Sequence, residues 1–343
     1  MEYKNISVKQ THGAGGGLVS EVDCSKKLSE DVILELRQAW LKYGVLFFKD
    51  QKLSDEQFMQ FGEQFGELFV NENFTDEEKD SEIGPKFRQV KKVLKEVDNF
   101  RVVGEDFHAD TCHVANPPMA SILYGIEVPP FGGETWFSNL NLAYESLSPG
   151  MKDMIKDVKC VMTDDKVAGP DSNRHYGRGS KIIGNPVAEP DSSGNKPPEN
   201  RDIDMGGSYQ SPVWKLTGYE HPLVKIHPET GNKSLFINFS YTRSFANMTV
   251  EESMPLMNYL YRWCERPEFQ FRFRMEVGSI AMWDNRAVNH MAVNDYQGYR
   301  RECRRIQLKD ILDPNRNLSQ NWEPSSTPKN TTLPWLNEYT PHV

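Results

Sequence analysis

Residues 107–128 read FHADTCHVANPPMASILYGIEV, and two textures meet there. The first half sets His108, Asp110 and His113 close together, ahead of Pro117 and Pro118. The second half, from Met119, is apolar and β-prone. If the segment is extended, His108 and Asp110 at i and i+2 project to the same face. One rigid element would then offer an imidazole and a carboxylate to a single ion. The same residues also suit an ordinary polar strand end, because His-x-Asp arises often by chance. His113 lies at odd spacing from His108 and is read as a structural or pocket-rim residue, not as a ligand.

Downstream the β texture continues in short runs bounded by Gly, Pro and Asn: GETWFSN (133–139), SLFIN (234–238) and GSIAMWD (278–284). Upstream, Leu28–Tyr43 reads as an amphipathic helix, capped by Ser29 and ended by Gly44. VLFF (45–48) is a buried strand, and a second helix starts at Ser54 with capping-box spacing to Gln57. The charged stretch Glu72–Lys95 reads as surface loop with some helix. Further helices are expected at Leu140–Val158 and Val250–Arg266. Many short strands, long connections and interposed helices give the fold class: mostly β with flanking helices around a jelly-roll, or double-stranded β-helix, core.

Composition narrows the function. A net charge of −9 argues against nucleic acid or an anionic membrane as partner, since both would repel the chain at long range. No apolar run approaches a membrane span, and the first residues lack the apolar stretch of a signal peptide. The five cysteines are scattered without a CxxC pair, which fits reduced thiols in a cytoplasmic compartment.

A second segment gives the His-x-Asp pair its company. Residues 281–308, AMWDNRAVNHMAVNDYQGYRRECRRIQL, join an apolar strand, a lone His290 and the arginines Arg300, Arg301, Arg304 and Arg305. Strands far apart in sequence pair within a jelly roll, which would bring His290 beside His108 and Asp110. Two histidines and one carboxylate around an ion leave open positions, as in non-haem iron(II) oxygenases. A run of charge is ordinarily a solvated face. Here Arg301 and Arg305, four apart, share one side of an extended strand, and no acidic run is an obvious internal mate. An inward-facing guanidinium needs an anion, and its planar fork suits a carboxylate.

Three blocks (107–147, 221–238 and 278–306), with the helix and strand at 28–65, resemble the TauD/TfdA family of Fe(II)- and 2-oxoglutarate-dependent dioxygenases. The resemblance implies one catalytic domain over 1–343, with a lid-like insertion at about 163–212 and an extended tail from about 314. It implies His108, Asp110 and His290 as iron ligands, with 2-oxoglutarate and O2 as co-substrates. It places Thr135, in GGETWF, and Arg301 on the far carboxylate of 2-oxoglutarate. Arg305 matches a position that contacts the substrate anion in sulfonate-binding members. Asn71 stands where many members carry a substrate-contacting histidine, so the taurine-type pocket is not reproduced. Asp110 argues against halogenation, because halogenating relatives carry a small residue there. His221 and His227 are expected to be structural.

The expected reaction oxidises an unactivated C–H bond of a small anionic or zwitterionic acid and releases succinate and CO2, with hydroxylation as the default. Arg304 and Arg305 are expected to draw the substrate anion, with Arg174, Arg178 and Lys181 completing the pocket from the insertion. Oxidative cyclisation or desaturation by the same iron centre is the alternative, and a zinc hydrolase or binding protein on the same fold is the rival class. A homo-oligomer is compatible with everything above.

Overall fold

The computed structural model describes residues 3–70, 87, 89–164 and 218–310. Asn71, the tail from 314 and nearly all of the insertion, with Arg174, Arg178 and Lys181, lie outside the described residues.

Local signals place the helices where the sequence predicts them. Helix α1 (Glu30–Tyr43) starts at Ser29, whose hydroxyl accepts the Val32 amide N–H, and ends at Gly44 in the left-handed region (φ 71°). Helix α2 (Asp55–Glu63) has the full capping box between Ser54 and Gln57. The stretch 140–158 divides into α3 (Leu140–Glu145) and α4 (Pro149–Ile155), because Ser148 caps anew and Pro149 occupies the first turn. Helix α5 (Val250–Cys264) is capped by Thr249 and Glu252.

Among the described residues the strands are β1 (Ser7–His12), β2 (Gly15–Ser20), β3 (Val45–Phe48), β4 (Lys91–Lys95), β5 (Ala120–Glu127), β6 (Thr135–Asn139), β7 (Lys159–Thr163) and β8 (Gly218–Pro222). They continue as β9 (Val224–Ile226), β10 (Lys233–Leu235), β11 (Thr242–Phe245), β12 (Gln270–Phe273), β13 (Ile280–Asp284), β14 (Val288–Ala292) and β15 (Arg301–Leu308). A seven-stranded sheet runs β1-β2-β3-β13-β5-β15-β4, and a three-stranded sheet runs β12-β6-β14. The two pack face to face as a jelly roll. Phe47 stacks on Phe273 with centroids 4.1 Å apart, and Phe137 meets Trp283 at 5.8 Å.

Period-2 alternation explains the two cores. Val45, Phe47, Leu123, Ala281, Trp283 and Cys303 point between the sheets. Leu46, Phe48, Ile122, Tyr124, Ile280, Met282, Ile306 and Leu308 point outward, where α1 and α2 cover them with Trp40, Phe58 and Phe61. Full burial of each Leu, Ile, Phe or Met among them stabilises the fold by roughly 1.5–3 kcal/mol. The large sheet is therefore sandwiched, and only its inner face reaches the site.

One further part of the fold differs from the reading of the sequence, and another was not read from it. Lys91–Lys95 is a strand rather than loop, an edge strand paired with β15 whose charges disguise it. The glycine-rich start forms the hairpin β1–β2. There Gly16 (φ 80°) leaves no room for a Cβ, which would meet Thr11 Oγ1 at 2.4 Å and Phe47 at 2.9 Å.

Candidate active site

Residues 107–113 do not form a continuous strand. His108 forms an isolated bridge with His290, with paired backbone bonds of 2.9 and 2.8 Å, and the chain then turns. Thr111 adopts φ 51°, an uncommon conformation for a β-branched residue, and this turn carries Asp110 inward. His290 sits on β14 opposite Phe137 of β6. The donor atoms of His108, Asp110 and His290 all lie within 4.8 Å of one another, and all three residues are buried.

Their donor atoms suit a cation. His108 Nδ1 lies 2.7 Å from the Asp106 carbonyl, an acceptor, so Nδ1 carries a hydrogen and Nε2 is the ring nitrogen that faces Asp110. Burial and the nearby ring of His108 hold His290 well below its usual range, so its imidazole is neutral. Burial alone would raise the Asp110 carboxyl, but Arg305, His290 and His108 hold it well below the usual carboxylate range. One carboxylate and two imidazoles form a donor set that fits Fe(II). Gly104 (φ 84°) makes space for the His108 ring, since a Cβ there would meet Cε1 at 2.7 Å. Cys112, two residues past Asp110, has its thiol pushed up to about 12 by burial and stays protonated.

A cavity open to solvent adjoins the triad; Thr135, Trp283, Arg301 and Arg305 line it together with His108 and His290. Arg301 is buried, and among the described residues its Nε and Nη2 have no hydrogen-bond partner; the Thr135 hydroxyl has none either. Residues 135 and 292 pair across β6 and β14, which sets Thr135 on the sheet facing Arg301. A buried guanidinium and hydroxyl left without partners are costly unless something polar completes them. An anion with a carboxylate end meets that need.

The comparisons with known proteins agree with this geometry. The family model described as taurine catabolism dioxygenase TauD, TfdA family, matches residues 7–307. The chain belongs to the TauD/TfdA family. An alkylsulfatase of Acinetobacter baylyi is 27% identical over 89% of this chain and 85% of its own length. An alpha-ketoglutarate-dependent sulfonate dioxygenase of Saccharomyces cerevisiae is 25% identical over 79% of this chain, which spans 58% of that relative's length. A crystal structure of a taurine dioxygenase from Burkholderia xenovorans superposes with a TM-score of 0.67 at 29% identity, over 90% of this chain and 92% of that one. As a TauD/TfdA member the chain is an Fe(II)- and 2-oxoglutarate-dependent dioxygenase.

The arginine cluster divides more sharply than the sequence suggests. Arg301 and Arg305 face the cavity. Arg304, expected to help draw substrate, points outward with Ile306 and Leu308 and pairs with Asp55 at 3.3 Å and with Glu302. Its register puts it on the helix-covered face. Arg300 is tied to Glu96, Glu127 and Glu302. Arg305 Nη1 donates to Asp110 Oδ1 at 2.6 Å.

His227 Nε2 bonds Asp284 Oδ2 at 2.9 Å and His221 Nε2 bonds the Val114 carbonyl at 3.0 Å, both away from the triad. His113 is buried, stacks on Tyr241 at 5.2 Å and stands outside the triad. The sequence reading missed Lys95, which sits across from Arg301 in the β4–β15 register, buried over the Tyr296 ring with no hydrogen-bond partner for its ammonium among the described residues. It also missed the polar residues packed behind Asp110. No local pattern marks either.

Proposed function

We propose that this TauD/TfdA dioxygenase couples oxidative decarboxylation of 2-oxoglutarate to oxidation of an unactivated C–H bond in a small anionic or zwitterionic organic acid. Hydroxylation is the outcome, with succinate and CO2 released. His108, Asp110 and His290 hold Fe(II), while Arg301 and the Thr135 hydroxyl hold the far carboxylate of 2-oxoglutarate. The metal with its co-substrates supplies the oxidising power. The protein binds, orients and excludes water. The single observation that carries this reading is the unpartnered Arg301 lining the same cavity as the two histidines. A zinc hydrolase on the same scaffold would have no use for that guanidinium or for the Thr135 hydroxyl.

The substrate end of the cavity is cationic. Arg305 faces it from β15 and Lys91 lines it from β4, so an acidic head group is drawn in. Sulfonates and sulfate esters, the chemistry in the relatives' names, are the first class to test. Asn71 belongs to the same proposal as a substrate contact. So do a single domain across 1–343, with a lid at about 163–212 and a tail from about 314, and a cytoplasmic location. The last draws support from cysteines that are all unpaired and buried.

The test has two arms. Anaerobic addition of Fe(II) and 2-oxoglutarate to the metal-free protein should produce a weak visible charge-transfer band. A panel of alkyl sulfates, sulfonates, aryloxyacids and neutral analogues is then scored by succinate release. The band must form, and the anions must stimulate turnover. Stimulation only by neutral or cationic compounds would reject the substrate class while leaving the chemistry intact.

A further inference from the structure

Behind Asp110 lies a set of buried polar side chains that the reaction itself does not use. Ser121, on β5, has Trp283 of β13 and Gln307 of β15 as its cross-strand neighbours. Its hydroxyl is 2.6 Å from Asp110 Oδ2, and its side chain is fully buried. Asn285 Nδ2 lies 3.1 Å from Ser121 Oγ, and Gln307 Nε2 lies 3.4 Å from it.

Donor counting fixes the direction of these bonds. The indole N–H of Trp283 can only donate, and it meets Asn285 Oδ1 at 3.0 Å; the Asp110 backbone N–H also points at that oxygen. Asn285 must therefore turn its NH2 toward Ser121. The serine oxygen receives that donor, so its one hydrogen is left for the Asp110 carboxylate. The polarity runs from indole to amide to hydroxyl to carboxylate without an ambiguous link.

Resting on the iron reading above, we infer that Ser121 is a positioning residue that holds Asp110 as a one-oxygen metal ligand. Oδ2 is taken from behind by the serine hydroxyl, whereas Oδ1, 3.7 Å from His108 Nε2, accepts from Arg305 on the cavity side, where a cation would share it. A carboxylate free to rotate could offer both oxygens and close one of the open positions that a two-histidine, one-carboxylate site provides. A hydrogen bond to a ligating carboxylate also fixes its orientation before the metal arrives, which raises affinity.

The experiment is a Co(II) titration of the metal-free full-length protein, followed by visible absorption, for wild type and Ser121→Ala. The Co(II) dissociation constant should rise by roughly tenfold to a hundredfold in the variant. The metal-free melting temperature should fall by only a few degrees, as for one lost hydrogen bond. A lowered melting temperature with Co(II) affinity within about twofold of wild type would make Ser121 merely structural and overturn the inference. If Ser121→Ala does not fold, Ser121→Cys, a weaker donor of similar size, should bind Co(II) several-fold more weakly, and unchanged affinity again overturns it. Failure of the wild type to bind Co(II) would instead bring down the iron reading on which this rests.

Discussion

The two faces of β15 hold the same residue type in opposite conditions. On the outer side Arg304 is paired with Asp55 and Glu302, and Arg300, just before the strand, is gripped by three glutamates. On the inner side, among the described residues, Arg301 has nitrogens without a hydrogen-bond partner and Arg305 pairs with the carboxylate of the triad. The difference teaches where to look for chemistry. A cation satisfied by its own fold stabilises; a buried cation that the fold leaves unsatisfied waits for a ligand.

The contrast can be broken by measurement. Asp110→Ala, which removes the carboxylate that Arg305 faces, should cut turnover roughly a thousandfold or more and abolish the charge-transfer band. A retained band would detach Asp110 from the metal. Arg301→Ala should raise the half-saturating 2-oxoglutarate concentration roughly 30-fold or more, equivalent to about 2 kcal/mol, and Arg301→Lys should recover only part of it because the fork is lost.

The inner core also holds a buried base away from the cavity. Burial lowers His113 to about 4 from 6.5, so its stabilising neutral form is complete above the unfolded value of 6.5. That contribution, about 3 kcal/mol, is lost as pH falls from 6.5 to 4, because the unfolded chain takes up the proton first. His113→Phe, which keeps the stack on Tyr241, should flatten the decline of melting temperature over that window, with the 2-oxoglutarate requirement unchanged.

On the outer face, Arg304→Met should cost about 1–2 kcal/mol of stability and a few degrees of melting temperature, with 2-oxoglutarate saturation within about twofold. If Arg304→Met moved that saturation and Arg301→Ala did not, the division between the faces would collapse. The smallest effect is expected of Thr135→Val, which removes one hydroxyl. It should weaken 2-oxoglutarate binding about fivefold, near 1 kcal/mol.

Much of this was legible in the sequence, for physical reasons. Ser29, Ser54 and Thr249 announce helix starts because capping acts within three residues, and VLFF is a strand because all four side chains are buried. Arg301 and Arg305 share a face by strand period alone. What stayed hidden is what depends on distant partners. Strand β4 carries lysines and needs β15 to be a strand at all. Arg304 reads as a free cation until α2 brings Asp55 against it. The bonds from Ser121 to Asn285 and Gln307 span 164 and 186 residues, and nothing nearby marks serine as special.

The backbone bridge between His108 and His290 has a thermodynamic consequence. The two donors stand far apart in sequence and meet only where β14 lies beside the 104–108 segment. A metal held as proposed above would bind the closed fold and not a chain lacking that contact. Each tenfold excess of metal over its dissociation constant would then add about 1.4 kcal/mol to the native state. On that reading the ion that serves the chemistry would also act as a latch on the closed barrel.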